Sequence, residues 1–149
     1  MAKFFSVKVK GEKEIKNTLD LTSKYVKSPK VSLKEAIMFM KDTTEGDVFN
    51  TEGSSIGHKW ARLTPSYATW KSKRYPGKKI LETTGKMRKN FKTKVSSTRA
   101  VLSNPTSYFK YHQLGTRKMK QRLVLTIDSK REREIMKIFE KDTDKILSK

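Results

Sequence analysis

The apolar residues along this chain fall into short patterns of different period, and the period selects the element. From Phe4 to Val9 polar and apolar residues alternate, with Phe5, Val7 and Val9 on one face, which predicts a short strand ended by Gly11. From Glu12 to about Val26 the spacing lengthens. Ile15, Leu19 and Val26, flanked by Leu21 and Tyr25, predict a helix, and Ser28-Pro29-Lys30 interrupts it. Ser32 and Glu35 then stand at capping-box spacing and predict the start of a second helix running to about Phe49. Leu33, Ile37, Met40 and Val48 form its apolar stripe, with Ala36 beside them and Phe39 widening it. Residues 50–59, with two glycines and small polar side chains, read as a mobile loop.

Further along, Thr64 followed by Pro65 suits a helix start, because proline at the first helical position loses no hydrogen bond. Tyr67, Trp70 and Lys71 follow on nearby faces, and Arg74-Tyr75-Pro76-Gly77 closes the segment. Thr83 or Thr84 is placed to cap a short helix with Met87 and Phe91 one turn apart. Phe91, Thr93 and Val95 alternate with lysines, then Ser96 to Arg99 separates them from Ala100-Val101-Leu102, a hairpin pattern. Asn104-Pro105 leads into a helical segment from Tyr108 to His112, and Leu123 to Ile127 has strand composition. Ser129 with Glu132 repeats the capping-box spacing and opens a final helix with Ile135, Ile138, Phe139 and Ile146 in one stripe. Strands and helices without regular alternation predict an α+β fold: a small antiparallel sheet packed with helices, with N- and C-terminal helices flanking a basic, loop-rich middle. At 149 residues the expectation is a single domain covering residues 1–149.

Composition sharpens this picture in three ways. The chain is 34% hydrophobic and 34% charged, yet two Trp, seven Phe and five Tyr supply large core side chains, so a folded protein is expected. Without cysteine there is neither a disulfide nor a thiolate metal site. The alternating N-terminus does not read as a secretion signal, and no run approaches the roughly 20 apolar residues of a membrane span. The expectation is a protein of the cytoplasm unless a particle carries it out, with no membrane partner.

The net charge of +20 is concentrated. Residues 1–52 hold 10 basic and 8 acidic side chains, residues 53–127 hold 18 and 1, and residues 128–149 hold 7 and 6. Such a field is most easily tolerated opposite an anionic surface, either nucleic acid or an acidic protein face. Two groups are candidates for facing it: Lys71, Lys73, Arg74, Lys78 and Lys79, and then Arg117, Lys118, Lys120 and Arg122. A solvated basic surface is the plainer alternative. A nucleic-acid reading would use Trp60, Trp70 and Tyr75 as stacking residues.

Catalytic chemistry finds little to work with. The middle offers one carboxylate, Glu82, and two histidines, His58 and His112, at no spacing that suggests an acid–base pair. Asp42, Glu45 and Asp47 alternate with Thr and Gly and include no histidine, and Gly77 before lysines does not complete a phosphate-binding loop. His112 is read as a structural ring, packed on one side and hydrogen-bonded to backbone on the other, and Gly115 as a left-handed helix end. No catalytic residue, metal or cofactor is expected.

Several pieces fall in a recognisable order: Trp60-Ala-Arg-Leu63, lysines at Lys71 and Lys73, Ile80-Leu81-Glu-Thr-Thr84-Gly85-Lys-Met87, and Tyr108-Phe-Lys-Tyr-His112-Gln113-Leu-Gly115-Thr116. Over about residues 60–127 this resembles the phage virion morphogenesis family, also described as tail-completion proteins, and related neck and minor tail components of long-tailed phages. The chain departs where Met87 stands for a common leucine, and where Leu123-Val124-Leu125 follows Arg122 in place of Arg-Pro-Phe-Leu. The resemblance implies a non-catalytic structural virion protein for tail completion or head-tail joining. Trp60, Leu63, Leu81, Thr84, Gly85, Tyr108, His112, Gln113 and Gly115 would be its structural motif positions. Implied partners are a head connector or adaptor, a tail terminator or tail tube, and identical copies in a hexameric ring, with packaged DNA as a further contact. The implied location is the neck or tail of the virion, and the host cytoplasm during assembly. A ring of six would gather roughly 100 positive charges from the middle segments, which DNA or acidic neighbours would have to offset. The alternative function is non-sequence-specific nucleic-acid binding through the basic middle.

Overall fold

The computed structural model describes residues 12–148, so the predicted strand at Phe4 to Val9 lies outside the described residues. The elements follow as α1 (Glu12–Lys27), α2 (Lys30–Thr43), a π-helical turn (Thr44–Val48), a 3-10 turn (Ser54–Ile56), α3 (Pro65–Arg74), α4 (Lys86–Lys89), β1 (Lys92–Val95), β2 (Ala100–Ser103), α5 (Phe109–Leu114) and α6 (Ser129–Leu147). The class is α+β. β1 and β2 form an antiparallel hairpin in which Lys92 faces Ser103 and Val95 faces Ala100. α2 packs against both this hairpin and α6, and α1 packs against α6.

The second helix departs from its expected stripe. Ser32, Ala36, Met40, Thr44 and Val48 recur every fourth residue, and all are buried. Four residues overshoot one α-helical turn, so such a line would wind around a regular helix. The wider π-turn takes back part of that drift and delivers Val48 and Phe49 to the core. Leu33, Ile37 and Phe39 are half-buried beside the line.

Neither capping box forms. α2 starts two residues before Ser32, with Leu33 N–H donating to the Pro29 carbonyl at 3.0 Å. The Ser32 hydroxyl instead donates to Asp142 Oδ2 on α6 at 2.5 Å and lies 2.7 Å from the Tyr25 hydroxyl. Since the single Ser32 proton goes to the carboxylate, Tyr25 is the donor in the second bond. Three helices are thereby tied at one buried hydroxyl. At α6 the cap position falls to Asp128, and its carboxylate pairs with Arg131 at 2.8 Å. A buried guanidinium needs an anion more than an exposed helix end needs a cap.

The Ser32 bond, with Lys145 helping, holds the Asp142 carboxyl below the usual carboxylate range. A depressed carboxylate contributes stability above its unfolded pKa and loses it as the pH falls through the folded value. Ser32→Ala is therefore expected to cost about 1–2 kcal/mol at neutral pH. The gap to wild type should narrow below about pH 4. Thermal melts of both chains at the two pH values check this, and an unchanged gap contradicts it.

Residues 50–59, expected to be mobile, are folded into turns. Gly53 N–H donates to the Val48 carbonyl at 2.9 Å, Trp60 N–H to Glu52 at 2.8 Å, and Ile56 is buried in the core. Gly53 has φ +83°, and a Cβ there would stand 2.2 Å from the His58 carbonyl oxygen and 2.7 Å from the Trp60 ring. Only glycine fits.

The core is a chain of edge-to-face rings. Trp60 meets Phe49 at 5.4 Å, Phe49 meets Phe91 at 6.4 Å, and Phe91 meets Phe109 at 5.8 Å. Edge-to-face pairing sets the positive ring edge on the negative face, so the rings interlock and do not slide. Met87 and Val124 complete the cluster, so Met87 stands where a core leucine would.

Leu123 to Ile127, with strand composition, does not pair as a strand among the described residues. A side chain substitutes for the missing neighbour. Gln113 Oε1 accepts from Val124 N–H at 2.9 Å and Leu125 N–H at 3.0 Å, and Gln113 Nε2 donates to the Leu125 carbonyl at 2.6 Å. Trp60 Nε1 takes the Leu123 carbonyl at 2.7 Å. Val124 is buried, and Leu123 and Leu125 partly so, without a sheet because two side chains bond their backbone, while Ile127 stays exposed.

Candidate functional site

The start of α3, the turn before α4, α5 and the loop from Lys118 to Arg122 enclose a cleft of about 670 Å³. Thr64 adopts extended geometry ahead of Pro65, as expected, although its hydroxyl makes no cap bond. This entry sets Arg62, Leu63 and Thr64 in the lining, joined from α3 by half-exposed Tyr67 and buried Lys71. Leu81 and Thr83 come from the turn before α4, whose N-cap is Gly85 at φ +74° and not a threonine. Thr84 contributes its hydroxyl to Lys86 N–H at 3.4 Å. Tyr108 and His112 come from α5.

Gly115 ends α5 at φ +75° and ψ 171°, an extended glycine conformation rather than the left-handed helical one expected. The chain then folds through a tight turn in which Thr116 N–H donates to the Met119 carbonyl at 2.8 Å. That turn carries Lys118, Met119 and Lys120 to the rim of the cleft.

Two cations sit deep. Lys71 is 4% exposed, and its ammonium donates to the Lys79 carbonyl. Arg122 is 8% exposed. Its Nε donates to the Ala61 carbonyl at 2.9 Å and its Nη2 to the Arg62 carbonyl at 3.3 Å. Burial pushes the Lys71 pKa down against the attraction of Glu82 and Glu52, and Arg122 adds to the lowering. Burial likewise lowers Arg122. His112 is lowered first by burial and then by Arg122, which keeps it neutral at pH 7. Its ring stands edge-on to Tyr108 at 6.2 Å, and its Nδ1 is buried without a hydrogen-bond partner among the described residues, unlike the backbone-bonded ring expected.

Among the described residues no carboxylate lines the cleft. Glu82, the one acidic side chain of the middle, is held by Arg88 Nη1 at 2.6 Å, while Arg88 also reaches the Glu45 carbonyl and Asn50. Leu81 adds a second sign of a built site. Its φ of +62° is the left-handed region that side chains resist at roughly 1–2 kcal/mol, and it is kept where the residue touches both core and cleft.

The two sets of candidates from the sequence therefore meet, but selectively. Lys71, Lys118, Lys120 and Arg122 share the cleft with motif positions Leu63, Leu81, Tyr108 and His112. Lys73, Arg74, Lys78, Lys79 and Arg117 are exposed outside its lining, and the Lys79 ammonium takes the Asn50 carbonyl at 2.7 Å. Trp60, 3% exposed, belongs to the core and is closed to stacking on nucleic acid. Trp70, in contrast, stacks on Tyr67 at 5.3 Å and meets Tyr75 at 5.9 Å on the open face of α3. Arg62, Tyr67 and Met119 were not singled out. Arg62 and Met119 lie inside quoted or basic segments, and Tyr67 sits three residues beyond the Thr64 cap, one helical turn in, which is the signal that could have found them.

No helix among the described residues is long and apolar enough to cross a membrane. No curated protein and no solved structure matches the chain. The model of a family described as the phage virion morphogenesis family matches residues 12–148, well beyond the stretch of about 60–127 that carries the resemblance.

Proposed function

Because the chain belongs to the phage virion morphogenesis family, we propose that this virion-assembly protein acts in tail completion or in joining heads to tails, as a single domain at the neck or tail end. Its role is structural, exercised among other virion proteins. The observation that carries the finer reading is the convergence at the cleft: motif positions Leu63, Leu81, Tyr108 and His112 line the same concavity as Lys71, Lys118, Lys120 and Arg122. Residues that build the family pattern thus also build a charged binding surface. Several copies, six in the ring that the family resemblance implies, would present these clefts around the joint toward acidic neighbours or packaged DNA.

A phage carrying a stop codon early in this gene is expected to produce heads and tails that stay unjoined, or tails of abnormal length. Supplying the protein in trans restores infectious particles. Electron microscopy of lysates and plaque titre read the outcome, and infectious particles assembled without the protein overturn the proposal. A second reading, general nucleic-acid binding, is favoured by the cluster of exposed Tyr67 and Trp70 with half-buried Tyr75, beside Lys73 and Arg74. It is distinguished by affinity that falls steeply with salt.

A further inference from the structure

We propose that the cleft is a socket for an acidic polypeptide segment bearing apolar side chains, supplied by a virion protein other than this one; the inference rests on the virion-assembly reading above. The lining decides the chemistry. Arg62, Lys118 and Lys120 are the exposed cations of the lining, and the half-buried Leu63, Leu81 and Met119 supply its apolar wall. A ligand of charge alone leaves that wall wet, and an apolar ligand alone leaves the cations unanswered. A carboxylate next to an aliphatic side chain answers both. The neighbouring α3 face adds Tyr67 and Trp70, about half exposed, aromatic side chains of the kind that concentrate binding energy at protein interfaces.

A second copy of the chain is the weaker source of such a ligand: outside residues 53–127 it holds 17 basic and 14 acidic side chains, so the rest of its surface carries no net negative charge to set against the cleft. Duplex DNA is a poor occupant as well. Its phosphates have no counterpart for the leucines and methionine, and the deep cations Lys71 and Arg122 already hold backbone carbonyls.

The test uses the full purified chain and a fluorescein-labelled octapeptide of alternating Glu and Leu, followed by anisotropy at physiological salt. Saturable binding is expected, weakened about tenfold or more by the triple variant R62E/K118E/K120E. An octapeptide of the same charge with Gln in place of Leu should bind about tenfold more weakly, because it leaves the apolar wall uncovered. K73E/R74E, outside the cleft lining, should bind like wild type. Absence of saturable binding overturns the proposal, as does equal affinity for the two peptides or an equal loss in K73E/R74E. Displacement of the peptide by an equal concentration of oligothymidylate also overturns it, in favour of nucleic acid. If the triple variant does not fold, the comparison of the two peptides on the wild-type chain still decides. Failure here leaves the stop-codon phenotype untouched, whereas infectious particles without the protein would remove the assembly role whatever the peptides do.

Discussion

Trp60→Ala is expected to destabilise the protein by about 4 kcal/mol, a large part of the roughly 5–15 kcal/mol that holds a domain folded. Three losses combine. The indole is 3% exposed, so its removal leaves a cavity in the centre of the aromatic chain. Its edge-to-face contact with Phe49 at 5.4 Å disappears. The Leu123 carbonyl, which accepts from Nε1 at 2.7 Å, loses its partner. Trp60→Phe retains a ring but not the donor, and its cost is expected to be about half as large. Urea unfolding followed by circular dichroism measures both, and a loss below about 1 kcal/mol for the alanine variant would sink this account of the core.

Gln113→Leu comes next, at about 3 kcal/mol, through a different mechanism. Leucine matches glutamine in bulk, so little packing is lost, but the Val124 and Leu125 amides and the Leu125 carbonyl are left without their partner. Val124 is 1% exposed, which denies water access to replace it. Gln121→Ala is the control. That side chain donates to the Gln113 carbonyl at 2.9 Å but is exposed, so its removal should cost under about 0.5 kcal/mol. Equal costs for the two variants would mean that the 123–125 segment is held by packing and not by the Gln113 amide.

These two residues also mark how far the sequence could be read. Both belong to the quoted family pattern, yet neither the partner nor the kind of bond was visible. Trp60 read equally well as a stacking residue, since an indole in a basic stretch has the same composition whether it points in or out. Gln113 adjoined His112 and Gly115, and the run it supports, Leu123 to Ile127, read as a strand. Strand composition records that a segment wants burial with its backbone satisfied. It does not record whether another strand or a side-chain amide does the satisfying. The same limit explains Ser32 and Ser129. A serine three residues before a glutamate has the spacing of a cap, but a carboxylate on a distant helix, or a buried arginine needing an anion, outbids the local bond.

Helix α1, the Pro65 start of α3 and the hairpin were legible because their causes are local: a period of apolar residues, a proline that costs nothing at a helix start, and a polar turn between alternating strands. The concentration of 18 basic against 1 acidic side chain in residues 53–127 was equally plain, being a count along the chain. The cleft was not. It exists because Arg122 crosses to the Ala61 and Arg62 carbonyls, because Trp60 reaches Leu123, and because Lys71 turns inward to Lys79. Ser32 meets Asp142 across 110 residues in the same way. Such bonds join residues far apart in the chain and leave no periodic trace. The order of amino acids could therefore announce helices, a hairpin and a cationic segment, while the choice of which cations face solvent and which are buried as struts waited on the packing that brings their carbonyl partners to them.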